Sequence, residues 1–180
     1  GDAPVLVAFN SLPWARPCPL KIKLPRNLVE RMRPFKLIGC ARGEELAYQI
    51  AGEETLWLNV WAVAPEVPAC GYATWRIVPG VPAEVPSPFA IDGTTISNGK
   101  VSVSVDAATG AIAKLSIDGR DVAADAAAPY GFGQYIYEEI ADPAGRGMLW
   151  PRREKVAFSR RTLKEISVDR GLAGPVAASL

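Results

Sequence analysis

The acidic cluster "YEEIAD", with the consecutive carboxylates Glu138 and Glu139, is the place in this sequence to look for acid chemistry. Retaining hydrolysis of a glycosidic bond needs a carboxyl pair roughly 5 Å apart, one as nucleophile and one as acid/base. Neighbouring residues of a strand point to opposite faces, so these two cannot form that pair, and solvated or ion-paired surface acids are the expected reading. Ser-His-Asp and Cys-His arrangements are excluded, because the 180 residues contain no histidine. The same absence leaves a zinc site only carboxylates and the dispersed thiols Cys18, Cys40 and Cys70. Odd in number and widely spaced, those cysteines argue against a disulfide framework and for a reducing compartment, and they are read as buried or semi-buried thiols.

Other polar clusters carry less. Arg152, Arg153, Lys155, Arg160, Arg161 and Lys164, with Trp150 beside them, mix charge and stacking as a nucleic-acid surface would, but Glu154 and Glu165 interrupt them. With Lys and Arg numbering 20 against 19 Asp and Glu, no bulk field recruits nucleic acid or anionic lipid. A solvated loop, or a polar face docking onto another domain, is expected instead. The glycines of "GFGQY" and "GRG" lack the strand, turn and helix of a phosphate cradle. No apolar run approaches the ~20 residues of a membrane helix, and no signal-peptide pattern opens the chain. The expectation is a cytoplasmic protein with neither membrane nor nucleic acid as partner, although the chain begins without Met and an upstream signal could be missing.

The elements that must position these residues read as strands. Val101, Val103 and Val105 alternate with Ser102, Ser104 and Asp106; a loop over 107–110 ending in Gly110 follows, then a second strand carrying Ala113, Leu115 and Ile117 up to Asp118-Gly119. Earlier, Val5 to Phe9 makes a short strand, and Leu20, Ile22 and Leu24 alternate with Lys21 and Lys23 between prolines, as an edge strand would. Leu56, Leu58 and Val60 oppose Trp57 and Trp61, the pattern of an inner strand covered on both sides. Tyr72 to Ile77 supplies another strand, and residues 26–34 a single helical turn. "VPGVPAEVPSP", four prolines in eleven residues, reads as a stiff linker. After it come a strand at "YGFGQYIYEEI" and a final strand pair at "VAFSRRTLKEISVD" and "GPVAASL", the last expected as a strand only begun where the sequence stops.

The order of these segments resembles the C-terminal β region of family 38 glycoside hydrolases, the retaining α-mannosidases. "VLVAFNSLPWAR" is similar to that region's opening strand and turn, "VPACGYATWRI" to its Val-Pro-x-x-Gly-Tyr-x-x-aromatic segment, "ISNGKVSVSVDAATGAIAKLSIDGRDV" to its Asp-x-x-Thr-Gly hairpin, and "GPVAASL" to its Gly-Pro-Val strand. The resemblance implies an all-β fold: a small β-sandwich over 1–80, a Pro-rich linker over 81–95, and over 96–180 the first, incomplete part of a galactose-mutarotase-like supersandwich. It also implies that the catalytic domain, with its zinc ion and nucleophilic Asp, lies upstream in the same polypeptide, so that this chain carries no cofactor, metal ligand or catalytic residue. The one contact it transfers is sugar binding by the tyrosines of "GQYIY", Tyr135 and with it Tyr137, whose rings suit an apolar sugar face and whose hydroxyls suit sugar hydroxyls. Core or interface packing of the same two rings stays open. So does an independent carbohydrate-binding or interaction module in place of an α-mannosidase fragment.

Overall fold

The computed structural model describes residues 3–122, 128–140 and 158–180, and within them the chain is all-β apart from one turn of α-helix, Arg26–Val29, and a 3-10 turn, Glu30–Met32. Its contacts separate two units, Gly1–Ala90 joined by Gly171–Ser179, and Ile91–Arg170.

In the first unit, β1 (Val5–Asn10), β7 (Gly71–Pro79), β3 (Phe35–Gly39) and β4 (Glu45–Leu46) form an antiparallel sheet in the order β1-β7-β3-β4. A second antiparallel sheet has the order β2-β6-β5, from β2 (Arg16–Pro25), β6 (Trp57–Val67) and β5 (Tyr48–Glu53). The period-2 alternation of β6 puts Leu58, Val60, Ala62 and Ala64 on one face, and all four are buried. They join Phe35, Leu37, Trp75 and Ile77 of the other sheet in one apolar cluster. Each fully buried side chain of this size contributes about 2 kcal/mol through water exclusion. Tyr48 ties the sheets together: its ring stacks on Phe35 at 4.8 Å and its hydroxyl donates to the Phe35 carbonyl at 2.7 Å.

Two expectations for this unit need adjustment. The outward face of β6 is not covered, since Trp57 and Val63 are exposed, and Leu56 precedes the strand with most of its surface in solvent. The segment "GPVAASL", 174–180, expected as a strand of the second domain, instead lies largely in a tight hairpin over 171–179 with one bridge, Ala173 to Ala178, and that hairpin groups with the first unit. The backbone closes upon itself there through Gly171, Leu172 and Ser179.

The second unit holds a five-stranded meander, β8 (Ala90–Asp92), β9 (Thr95–Ser97), β10 (Val101–Val105), β11 (Ile112–Ile117) and β12 (Arg120–Val122), each strand hydrogen-bonded to the next. β8 and the first residue of β9, Thr95, lie within the 81–95 stretch, whose strand-free part ends at residue 89. The β10–β11 turn is held by Asp106, whose carboxylate accepts the Ala108 N–H at 2.8 Å and the Thr109 hydroxyl at 2.9 Å, while Gly110 takes φ +67°. A bulge shifts the register here: Ser104 faces Lys114 but Val105 faces Ile112. Ile112 therefore replaces Ala113 opposite the valine row, and Ala113 is exposed. A separate ribbon pairs β13 (Ile136–Ile140) with β14 (Phe158–Thr162).

Candidate functional site

The β13–β14 ribbon carries the side chains that the sequence singles out. Tyr135 stands immediately before β13 and Tyr137 within it, facing Arg161 across the ribbon; the two rings are 59% and 53% exposed. Neither is a core aromatic. Phe132 and Phe158 are exposed close by in sequence or across the pairing.

Arg160 gathers what the chain order separates. Its guanidinium lies 4.8 Å from the Phe158 ring centroid and 5.9 Å from that of Tyr130, and its Nε donates to Glu138 at 2.6 Å. That bond to Glu138 is the main reason its pKa stands above the ordinary arginine value. One position along, Arg161 pairs with Glu139 at 2.9 Å. Glu138 is thus matched to the arginine directly opposite, whereas Glu139, opposite Ser159, reaches Arg161 diagonally across the ribbon. The grouping of Tyr130, Phe158 and Arg160 depends on a pairing between segments some twenty residues apart, and no local spacing in the sequence signals it.

Four carboxylates elsewhere, Glu45, Glu53, Glu54 and Asp106, are held toward their charged form. Glu45 is lowered first by the Ala83 N–H, which it accepts at 2.6 Å, and then by Lys36; Glu53 is lowered by Arg33, Glu54 by Asn59 and Lys23, and Asp106 by its own turn. A general acid at neutral pH needs the opposite displacement, from burial or a neighbouring anion. Every carboxylate whose pKa is displaced among the described residues moves downward.

The chain has no histidine, and among the described residues no three Cys, Asp or Glu side chains gather around a common point. Cys18 is buried, but Cys40 and Cys70 are exposed rather than semi-buried, and all three are free thiols. The basic segment's Trp150, Arg152, Arg153, Glu154 and Lys155 lie outside the described residues, while Arg160 and Arg161 are engaged with Glu138 and Glu139. Among the described residues no helix is long and apolar enough to cross a membrane. No protein-family model matches the chain, and no curated protein matches it.

Proposed function

We propose that this chain is the non-catalytic β portion of an α-mannosidase, supporting a catalytic domain of the same polypeptide and lending a sugar contact through Tyr135 and Tyr137. The observation that carries the reading is the order of four sequence motifs similar to those of family 38 glycoside hydrolases, on a chain that is all-β. In this reading β8–β12 and the ribbon begin a supersandwich, and the two-sheet first unit is the small sandwich before it. Charged, ion-paired carboxylates and the lack of histidine support a framework role, with hydrolysis and zinc binding assigned to the other domain. Three free thiols favour a cytoplasmic setting.

The exposed rings of Phe132, Tyr135, Tyr137 and Phe158 favour one second reading, an autonomous carbohydrate-binding module that stacks sugars on this ribbon. The two readings separate in the natural polypeptide that carries these residues. A mannosidase portion requires that polypeptide to hydrolyse an aryl α-mannoside, with Tyr135→Phe raising KM several-fold at unchanged thermal stability. Absence of α-mannosidase activity from the natural polypeptide overturns the proposal, and mannoside binding by the 180-residue chain without such activity selects the module.

A further inference from the structure

Among the described residues the two sheets of the first unit each end in an unpaired edge, β1 in one and β2 in the other, and these edges are unlike. The phase of each follows from a single bond. The Pro4 carbonyl accepts the Ile77 N–H at 2.8 Å, in the register that pairs Leu6 with Trp75 and Ala8 with Ala73. Backbone groups alternate in direction along a strand, so Leu6, Ala8 and Asn10 bond to β7, while Val5, Val7 and Phe9 turn their N–H and C=O outward. On β2 the Arg26 N–H donates to the Leu56 carbonyl at 2.9 Å, which directs Pro19, Lys21, Lys23 and Pro25 to the free edge.

The β2 edge is therefore guarded: two of its four outward positions have no N–H and the other two carry charge. The β1 edge has neither device. Its outward residues are Val5, Val7 and Phe9, all apolar and exposed, with Phe9 74% exposed against Tyr72. Between the edges lies a cleft of about 440 Å³, into which the sheets present Leu6, Ala8, Leu20 and Ile22. Leu6, Leu20 and Ile22 are only partly buried, so the core is open on this side.

We propose that the β1 edge pairs with β1 of a second copy of this chain, antiparallel and centred on Val7. The strand is self-complementary about that residue. Val5 falls opposite Phe9 of the second copy, Leu6 opposite Ala8, and Val7 opposite Val7 on the two-fold axis, so no charge meets a charge. Val5, Val7 and Phe9 of each copy exchange their outward N–H and C=O groups, and the inward Leu6 and Ala8 of the second copy enter the cleft over Leu20 and Ile22. A slip of one residue would turn Val5, Val7 and Phe9 of the second copy inward, which rules out odd registers. A non-identical strand would need to reproduce this alternation without the symmetry.

The test is the mass of the 180-residue chain by light scattering across concentration, with amide exchange as a second readout. The expected result is a concentration-dependent rise toward twice the 19.2 kDa of one chain. Val7→Lys, at an exposed position, abolishes the rise with an unchanged thermal midpoint, and Lys23→Val on the other edge leaves it unchanged. The amides of Val5, Val7 and Phe9 gain protection in step with the mass. A chain that keeps the mass of one copy up to roughly millimolar concentration overturns the proposal. So does a dimer that persists in Val7→Lys, or full protection of those amides where the mass is that of one copy.

Discussion

The side-chain oxygen of Gln49 accepts the backbone N–H of Ala177 at 3.0 Å and that of Val176 at 3.3 Å, joining β5 to a hairpin 128 residues further along the chain. Gln49 is buried, and Gly174 lies so close that an added Cβ would meet its side-chain amide. The hairpin is thus held by a polar side chain whose hydrogen-bond partners are lost together if it is removed. Gln49→Leu is expected to cost about 1–3 kcal/mol and to release the Val176 and Ala177 amides to exchange, read residue by residue. Gly174→Ala is expected to release the same two amides through crowding.

Asn10 sets the end of β1. Its side-chain amide donates to the carbonyls of Trp14 at 2.8 Å, Val67 at 3.2 Å and Pro68 at 3.0 Å, and its oxygen accepts the Leu12 N–H at 3.2 Å. Asn10→Leu keeps the volume and loses these bonds, stranding buried carbonyls. The expected cost is roughly 2–4 kcal/mol by denaturant titration, whereas Trp14→Ala, at an exposed ring, is expected to cost less than about 1 kcal/mol.

The Asp118-Gly119 turn has φ of +49° and +75°. Nothing lies within reach of a Cβ at Gly119, so backbone conformation alone decides the outcome. Gly119→Ala is expected to destabilise the second unit by about 1 kcal/mol, and Gly52→Ala, where no positive φ is required, by less. Thermal unfolding of the two variants checks the difference.

Glu45 and Glu53 make stability depend on acid. Both carboxyls titrate below their ordinary value in the folded chain, Glu45 through the Ala83 N–H and Lys36, Glu53 through Arg33. The folded state therefore binds fewer protons than the unfolded one across that interval, and their contribution is present above the ordinary carboxylate range and lost as pH falls through it toward the folded value. Glu45→Gln is expected to flatten the decline of unfolding free energy between about pH 5 and pH 3, measured by urea titration at each pH.

Much of the framework is legible in one sequence because alternation is a local signal. The alternation of Leu58 and Val60 against Trp57 and Trp61, the loop over 107–110 and the Asp118-Gly119 turn read correctly from residue types and spacing. In β10 the strand is where the alternation puts it, but Ser102 and Ser104, expected to face water, are as half-buried as the valines beside them. The bulge that exchanges Ala113 for Ile112 depends on which partner residues the ladder selects, and no side-chain pattern encodes that choice. The Gln49 latch is invisible for a related reason: a lone glutamine in a strand resembles any surface amide until a hairpin from the far end of the chain covers it. At the candidate site, Tyr135 and Tyr137 are conspicuous in sequence, yet the Arg160 that binds Glu138 beside Tyr130 and Phe158 emerges only from the β13–β14 register.

The central claim is that these residues build and support a sugar-cleaving enzyme without doing its chemistry. Turnover of an aryl α-mannoside by the purified 180-residue chain, with zinc supplied, tests it most directly. The expected result is release of the aryl group at the uncatalysed rate; turnover that follows the concentration of this chain through successive purification steps would contradict it.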